Sequence, residues 1–149
     1  MSRRSLCLLI VMAVAIGPSL ATPPEKADLS PEMLLKTATH VVVGKVEQIW
    51  TRAESRGIWD WTHYVAEIRV QRVEKGDGIA ADALVYARYW TKKWNGFFGE
   101  PPADTNGHRG LPAVGEQIRA YLARNAYDGF GTSSDGGFNV IGANGFARP

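Results

Sequence analysis

Hydrophobic residues change period once along the chain. "LSPEMLLKTATH" begins with a helix start: the Ser30 hydroxyl can accept from the first free backbone donors, and Pro31 suits the first helical position, where its missing N–H costs nothing. Met33, Leu34 and Ala38 fall on one face, and the helix is expected to end near Thr37 to Thr39. From there the pattern alternates. "HVVVGKVEQIW", His40 to Trp50, places His40, Val42, Gly44 and Val46 on one side and Val41, Val43, Lys45 and Glu47 on the other, and Gly44 marks a bulge or a close backbone approach. In "THYVAEIRVQRV", Thr62 to Val73, Tyr64, Ala66, Ile68 and Val70 point inward while His63, Glu67, Arg69 and Gln71 face out. One wet face implies an antiparallel sheet.

After the "EKGDG" turn a third strand runs from Ala83 to Trp90. A fourth lies within Gly115 to Arg124, with Ile118, Ala120 and Leu122 on one face, and a glycine-rich fifth spans Gly137 to Phe146, anchored by Phe138, Val140 and Phe146. Five strands in one small domain must dispose of their edges, and closure does so most economically. The expected fold is mainly β: a five-stranded antiparallel barrel with one short N-terminal helix and a long aromatic loop.

The first 21 residues combine a basic start (Arg3, Arg4), an apolar run from Leu6 to Ile16, and small residues at Ser19 and Ala21. This is the pattern of a secretory signal peptide cleaved after Ala21, and the run is shorter than the roughly 20 residues a membrane span needs. Residues 22–28 read as a linker and 29–149 as a single domain, exported to the periplasm or medium and not membrane-bound once cleaved. Cleavage would remove Arg3, Arg4 and Cys7, leaving 128 of the 149 residues, with Lys+Arg falling from 17 to 15 against 15 Asp+Glu. A neutral, cysteine-free chain excludes a disulfide scaffold, a thiol nucleophile and a thiolate metal site, and gives no electrostatic reason to bind nucleic acid.

The order of these features resembles the netrin-like domain, the OB-type barrel of tissue inhibitors of metalloproteinases and of complement and netrin C-terminal modules. The likeness runs from Leu29 to Phe146, through "ATHVVVGKVEQ", "YVAEIRVQRVEKGD", "ALVYARYW" and "PAVGEQIRAYLARNAYDGFG". It implies an OB-type barrel, and the chain looks closer to small exported bacterial proteins of undefined role that share such a barrel. The inhibitors use an N-terminal cysteine to chelate the protease zinc, whereas the expected mature start is "TPPEKAD", so that motif transfers to no residue here.

Catalytic and metal-binding constellations are absent from the pattern. His40, His63 and His108 lack ligand spacing and read as solvated side chains; no metal and no cofactor is expected. Glu47 and Glu67 read as salt-bridge partners of Arg69 or Lys45 in preference to an acid–base pair. "YDGFGTSSDGG", Tyr127 to Gly137, carries oxygen ligands without the spacing of a calcium loop and reads as a turn.

There remains "YWTKKWNGFFG" and the loop it opens, Thr91 to Gly115. A loop of that length without periodicity is usually functional or disordered, and its aromatics argue against disorder. Two readings stand. Trp90, Trp94 and Phe97 plug the barrel mouth, or Lys92, Lys93, Trp94, Phe97, Phe98, His108 and Arg109 form an exposed patch for a protein, peptide or glycan partner. A split, with Trp90 inward and the tip outward, joins them. The expected function is a non-enzymatic exported binding or interaction module; a protease-inhibitor-like module and a small hydrolase using Glu67 or His108 are the alternatives.

Overall fold

The computed structural model describes residues 26–97, 99, 107–124 and 137–149. The expected signal peptide, Phe98 and the turn from Tyr127 up to Gly137 lie outside these residues.

Helix α1, Pro31–Thr37, starts as its sequence dictates: the Ser30 hydroxyl accepts from the Met33 N–H at 3.2 Å. It buries Leu34 and, just past its end, Ala38 against Val41, Ala123 and Ile141. Met33 does not share that face and is 44% exposed. Six strands follow: β1 His40–Arg56, β2 Trp59–Lys75, β3 Leu84–Trp94, β4 Gln117–Arg124, β5 Phe138–Val140 and β6 Phe146–Ala147. The expected last strand is thus two short ones, parted at Ile141 to Gly145, with Gly142 at φ 64.

Neighbours pair in the order β1-β2-β3-β5-β4, and β1 also pairs with β4, so five strands form a ring-like sheet, with β6 added on β4. The all-antiparallel expectation fails at one point: β3 and β5 run parallel, Ala87 beside Phe138 and Arg88 beside Asn139. Parity requires it, because a closed ring with an odd number of strands cannot reverse direction at every step. Strand β1 serves two partners by bulging, with register shifts at Val41/Val42, Val43/Gly44 and Val46/Gln48. Gly44 sits at one of these shifts, and a Cβ there would run into the Arg69 carbonyl oxygen.

Inside the ring the predicted alternation holds. Ala66, Ile68 and Val70 of β2, Val85, Ala87 and Tyr89 of β3, and Ile118, Ala120 and Leu122 of β4 form one core with Phe138, Val140 and Phe146. No helix among the described residues is long and apolar enough to cross a membrane.

Two segments depart from their expected state. Strands β1 and β2 do not stop at Trp50 and begin at Thr62 but continue to Arg56↔Trp59, joined by Gly57 and Ile58, with Gly57 at φ 60. Strand β3 runs beside them to Trp94, while the β1–β4 pairing stops at Lys45↔Gln117. A three-stranded arm therefore extends past the ring, and Lys92 to Trp94 belong to a strand instead of a loop. The described end of the expected linker is docked: the Lys26 ammonium is buried and donates to the Val140 carbonyl at 3.2 Å, and the Ala27 carbonyl accepts from the Ala143 N–H at 2.9 Å. Leu29 and Asn144 exchange two hydrogen bonds at 3.0 and 2.9 Å.

Candidate binding face

Register decides which side chains meet on the arm. Across β1, β2 and β3 the rows Arg56–Trp59–Trp94, Glu54–Trp61–Lys92, Arg52–His63–Trp90 and Trp50–Val65–Arg88 lie directly opposite one another at two-residue intervals. They share one face, since successive side chains alternate across a strand. The rows between them face the other way, where Tyr64 stacks on Tyr89 at 4.8 Å and 4°. All five tryptophans of the chain are thereby gathered on one side of three strands.

The face has a fixed inner part. Trp61 packs on Trp90 at 4.9 Å and lies parallel to the His63 ring at 6.1 Å and 7°. The Lys92 ammonium sits 4.3 Å from the Trp59 ring centroid and 5.0 Å from that of Trp61, and the residue is buried. Cation and ring quadrupole attract, more strongly out of water. Burial and the nearby Arg52 charge hold His63 below the usual imidazole range, against the pull of Glu54.

Trp90 is buried as expected, but on this outer side of the sheet, while Tyr89 enters the core. Its cover is the segment at Gly107 and His108: Gly107 bridges Thr91, and the His108 N–H donates to the Trp90 carbonyl at 2.9 Å. A Cβ on Gly107 would stand 2.5 Å from that carbonyl oxygen and 2.6 Å from the indole, so only glycine allows the approach. His108 corrects the expectation of solvated histidines and of an exposed anchor. Its Nδ1 accepts from the Trp90 N–H at 3.1 Å, its Nε2 donates to the Val140 carbonyl at 3.1 Å, and burial pushes its pKa down to about 4. His40 is also buried, edge-on to Phe138 at 4.9 Å, and His63 is half-buried.

The outer part of the face is open. Trp50 and Tyr86 are 47% and 42% exposed and tilt together at 6.2 Å. Beside them is a concavity of about 340 Å³ lined by Trp50, Thr51, Arg52, His63, Tyr64, Val65 and Arg88. Glu54, the acid next to it, is held below the usual carboxylate range chiefly by its hydrogen bond to Arg56, with Arg52 at 3.8 Å and His63 at 3.7 Å.

The residues expected to form a patch separate. Lys92 and Trp94 join the aromatic face; Lys93 pairs opposite Asp60 in a row facing the other side; Phe97 projects almost fully exposed. His108 is interior, and Arg109, exposed, has its guanidinium 3.1 Å from Asp28. Trp50, Arg52, Trp59, Trp61, His63 and Arg88 were not among the expected site residues. Their signal in the sequence is the two-residue spacing of W-x-W-x-H from Trp59 and W-x-K-x-W from Trp90.

Glu47 and Arg69 form the expected salt bridge, two-pronged at 2.6 and 2.9 Å. Glu67 hydrogen-bonds Tyr86 and raises its phenol pKa. Among the described residues no three His, Cys, Asp or Glu side chains come together as a metal set.

Compared with protein-family models, curated proteins and solved structures, the chain matches none.

Proposed function

We propose that the protein is an exported, non-enzymatic binding module that takes its ligand on the outer face of β1, β2 and β3. The observation that carries this reading is the gathering of all five tryptophans, with Arg52 and Lys92 among them, on one side of the arm. Aromatic and Arg side chains are the residues that anchor interfaces. The inner tryptophans are held rigid by mutual packing, which lowers the ordering cost of binding.

The ring order β1-β2-β3-β5-β4, closed by β1–β4, supports reading the fold as an OB-type barrel of the netrin-like kind. In OB folds the β2–β3 face and the loop joining the first two strands carry oligosaccharides and oligonucleotides. The Gly57–Ile58 turn and the rows from Trp59 to His63 occupy those positions here. A non-enzymatic role is supported by the engagement of both His108 ring nitrogens with backbone groups, which leaves neither available to a substrate. Cleavage after Ala21 would leave the docked residues from Lys26 onward intact.

The test is a glycan and peptide array probed with the wild-type protein and with Trp50→Ala/Tyr86→Ala. Both side chains are substantially exposed, so the variant keeps the fold, checked by circular dichroism. Wild-type hits should weaken at least about tenfold in the variant, as expected for loss of interface anchors. Equal binding by both proteins would place the ligand elsewhere. Intact mass of the exported form should begin at Thr22.

A further inference from the structure

We infer that the outer edge of β1, residues 50–56, pairs antiparallel with the same edge of a second copy of this chain, joining two arms into one sheet with both tryptophan faces on the same side. This goes beyond the binding-face reading and stands without it.

The edge is open. Strand β4 covers β1 only as far as Lys45↔Gln117, and the next bonds are those of Val46 with Gly115 and Glu116 at 2.8 and 2.9 Å. From Gln48 to Arg56, among the described residues, β1 pairs with β2 alone. The opposite edge of the arm is closed, since Gly107 bridges Thr91 and the His108 N–H donates to the Trp90 carbonyl. Backbone groups alternate in direction along an antiparallel strand. The Ile58 carbonyl accepts from the Asn95 N–H on the β3 side, so Trp59, Trp61 and His63 turn theirs toward β1, where they meet Arg56, Glu54 and Arg52. Thr51, Ala53 and Ser55 therefore direct theirs away from β2, and such a row is a template for another strand.

Charge picks the partner. With a two-fold axis at Ala53, Arg52 stands opposite the partner's Glu54 and Glu54 opposite the partner's Arg52, while Trp50 and Arg56 meet the partner's Arg56 and Trp50 as cation–π pairs. These four side chains share the tryptophan face. Arg52 and Arg56 already approach Glu54 within their own strand, at 3.8 and 2.5 Å, yet remain 77% and 68% exposed, so they stay accessible to a second chain. On the other face Thr51, Ala53 and Ser55 are small and exposed and leave the approach unobstructed.

Other axes fit less well. Centred on Arg52 or Glu54, like charges would meet on the axis. Centred on Thr51, the partner's Arg56 would arrive at Val46, where Gly115 and Glu116 already bond. Centred on Ser55, the overlap shrinks to 54–56. An unrelated extended peptide would have to bring the Arg-x-Glu-x-Arg alternation that this chain carries itself.

The experiment follows protein purified from cells expressing the whole chain by sedimentation velocity, over a dilution series from about 10 μM to about 1 mM, the range suited to a contact of one strand pair. Wild type should pass from monomer to dimer. Arg52→Glu and Glu54→Arg each act twice by symmetry and set like charges opposite one another, so each should weaken the dimer at least about tenfold; Arg52→Glu/Glu54→Arg together should restore it. Ala53→Pro removes an outward N–H, which an edge strand tolerates, and should leave a folded monomer by circular dichroism. A wild type that stays monomeric throughout would overturn the proposal and leave the edge to a peptide of another protein. A dimer undiminished in both single-charge variants and in Ala53→Pro would overturn the edge as the contact. Weakening by the single variants without recovery in the double variant would overturn the Ala53 register.

Discussion

Lys92 gives the sharpest handle on the aromatic face. Its ammonium lies 4.3 Å from the Trp59 ring and 5.0 Å from Trp61, and the residue is only 7% exposed. Cation–π pairs contribute about 0.5–1 kcal/mol at exposed sites and about 2 kcal/mol when desolvated, so this pair sits near the upper end. Lys92→Met retains most of the apolar stem and removes the charge. Its cost should be about 1–2 kcal/mol, a fall in Tm of several degrees for a chain of this size. Other Lys92 contacts contribute to that number, so the diagnostic quantity is the coupling with Trp59. A double-mutant cycle of Lys92→Met and Trp59→Leu, read by urea unfolding under circular dichroism, should give about 1 kcal/mol of coupling. Additivity within about 0.3 kcal/mol would mean the charge lies over the ring without being held by it, and would refute the reasoning.

Two further outcomes follow from the fold. Gly44→Ala places a Cβ against the Arg69 backbone carbonyl at a β-bulge, where no flexible side chain can yield; it should cost about 2–3 kcal/mol in urea unfolding, and a neutral result would contradict the packing described. His108 has a folded pKa of about 4 against 6.5 for the free side chain, so between those values the unfolded chain binds more protons. Stability should fall as pH drops from 6.5 to about 4, by an amount on the order of 3 kcal/mol, and His108→Gln should flatten that limb; an unchanged pH profile would sink the assignment.

The core was legible because its signals are local. Ile118, Ala120 and Leu122, or Ala66, Ile68 and Val70, alternate with polar residues, and a half-buried strand can read no other way. Ser30 and Pro31 likewise carry their helix start within four residues. The arm was not legible for the opposite reason. "TRAESRGIWDW" is polar enough to look like a loop, because its strands bury no side in the core and are held by each other. Gly57 as first residue of a two-residue turn between alternating segments was the available hint.

The binding face shows the same division. The lysine and aromatic residues of "YWTKKWNGFFG" were readable as a cluster, but only Trp90, Lys92 and Trp94 of it share the face in space. Lys93 turned to the other side of the sheet, His108 was buried between Trp90 and Val140, and Arg109 paired with Asp28. Trp50, Trp59 and Trp61, from the other two strands, took their places.

By itself, then, the sequence determined a mainly β chain with one short capped helix, the inward set of each core strand, and the absence of a disulfide framework. These follow from periodicity, capping and composition, which act between near neighbours. Tertiary structure alone decided that the sheet closes, that an odd ring needs one parallel pair, and that three strands in register bring five tryptophans to one face. Register is a relation between segments far apart in the chain, and a one-residue shift of any of the three strands would send that strand's rings to the opposite side.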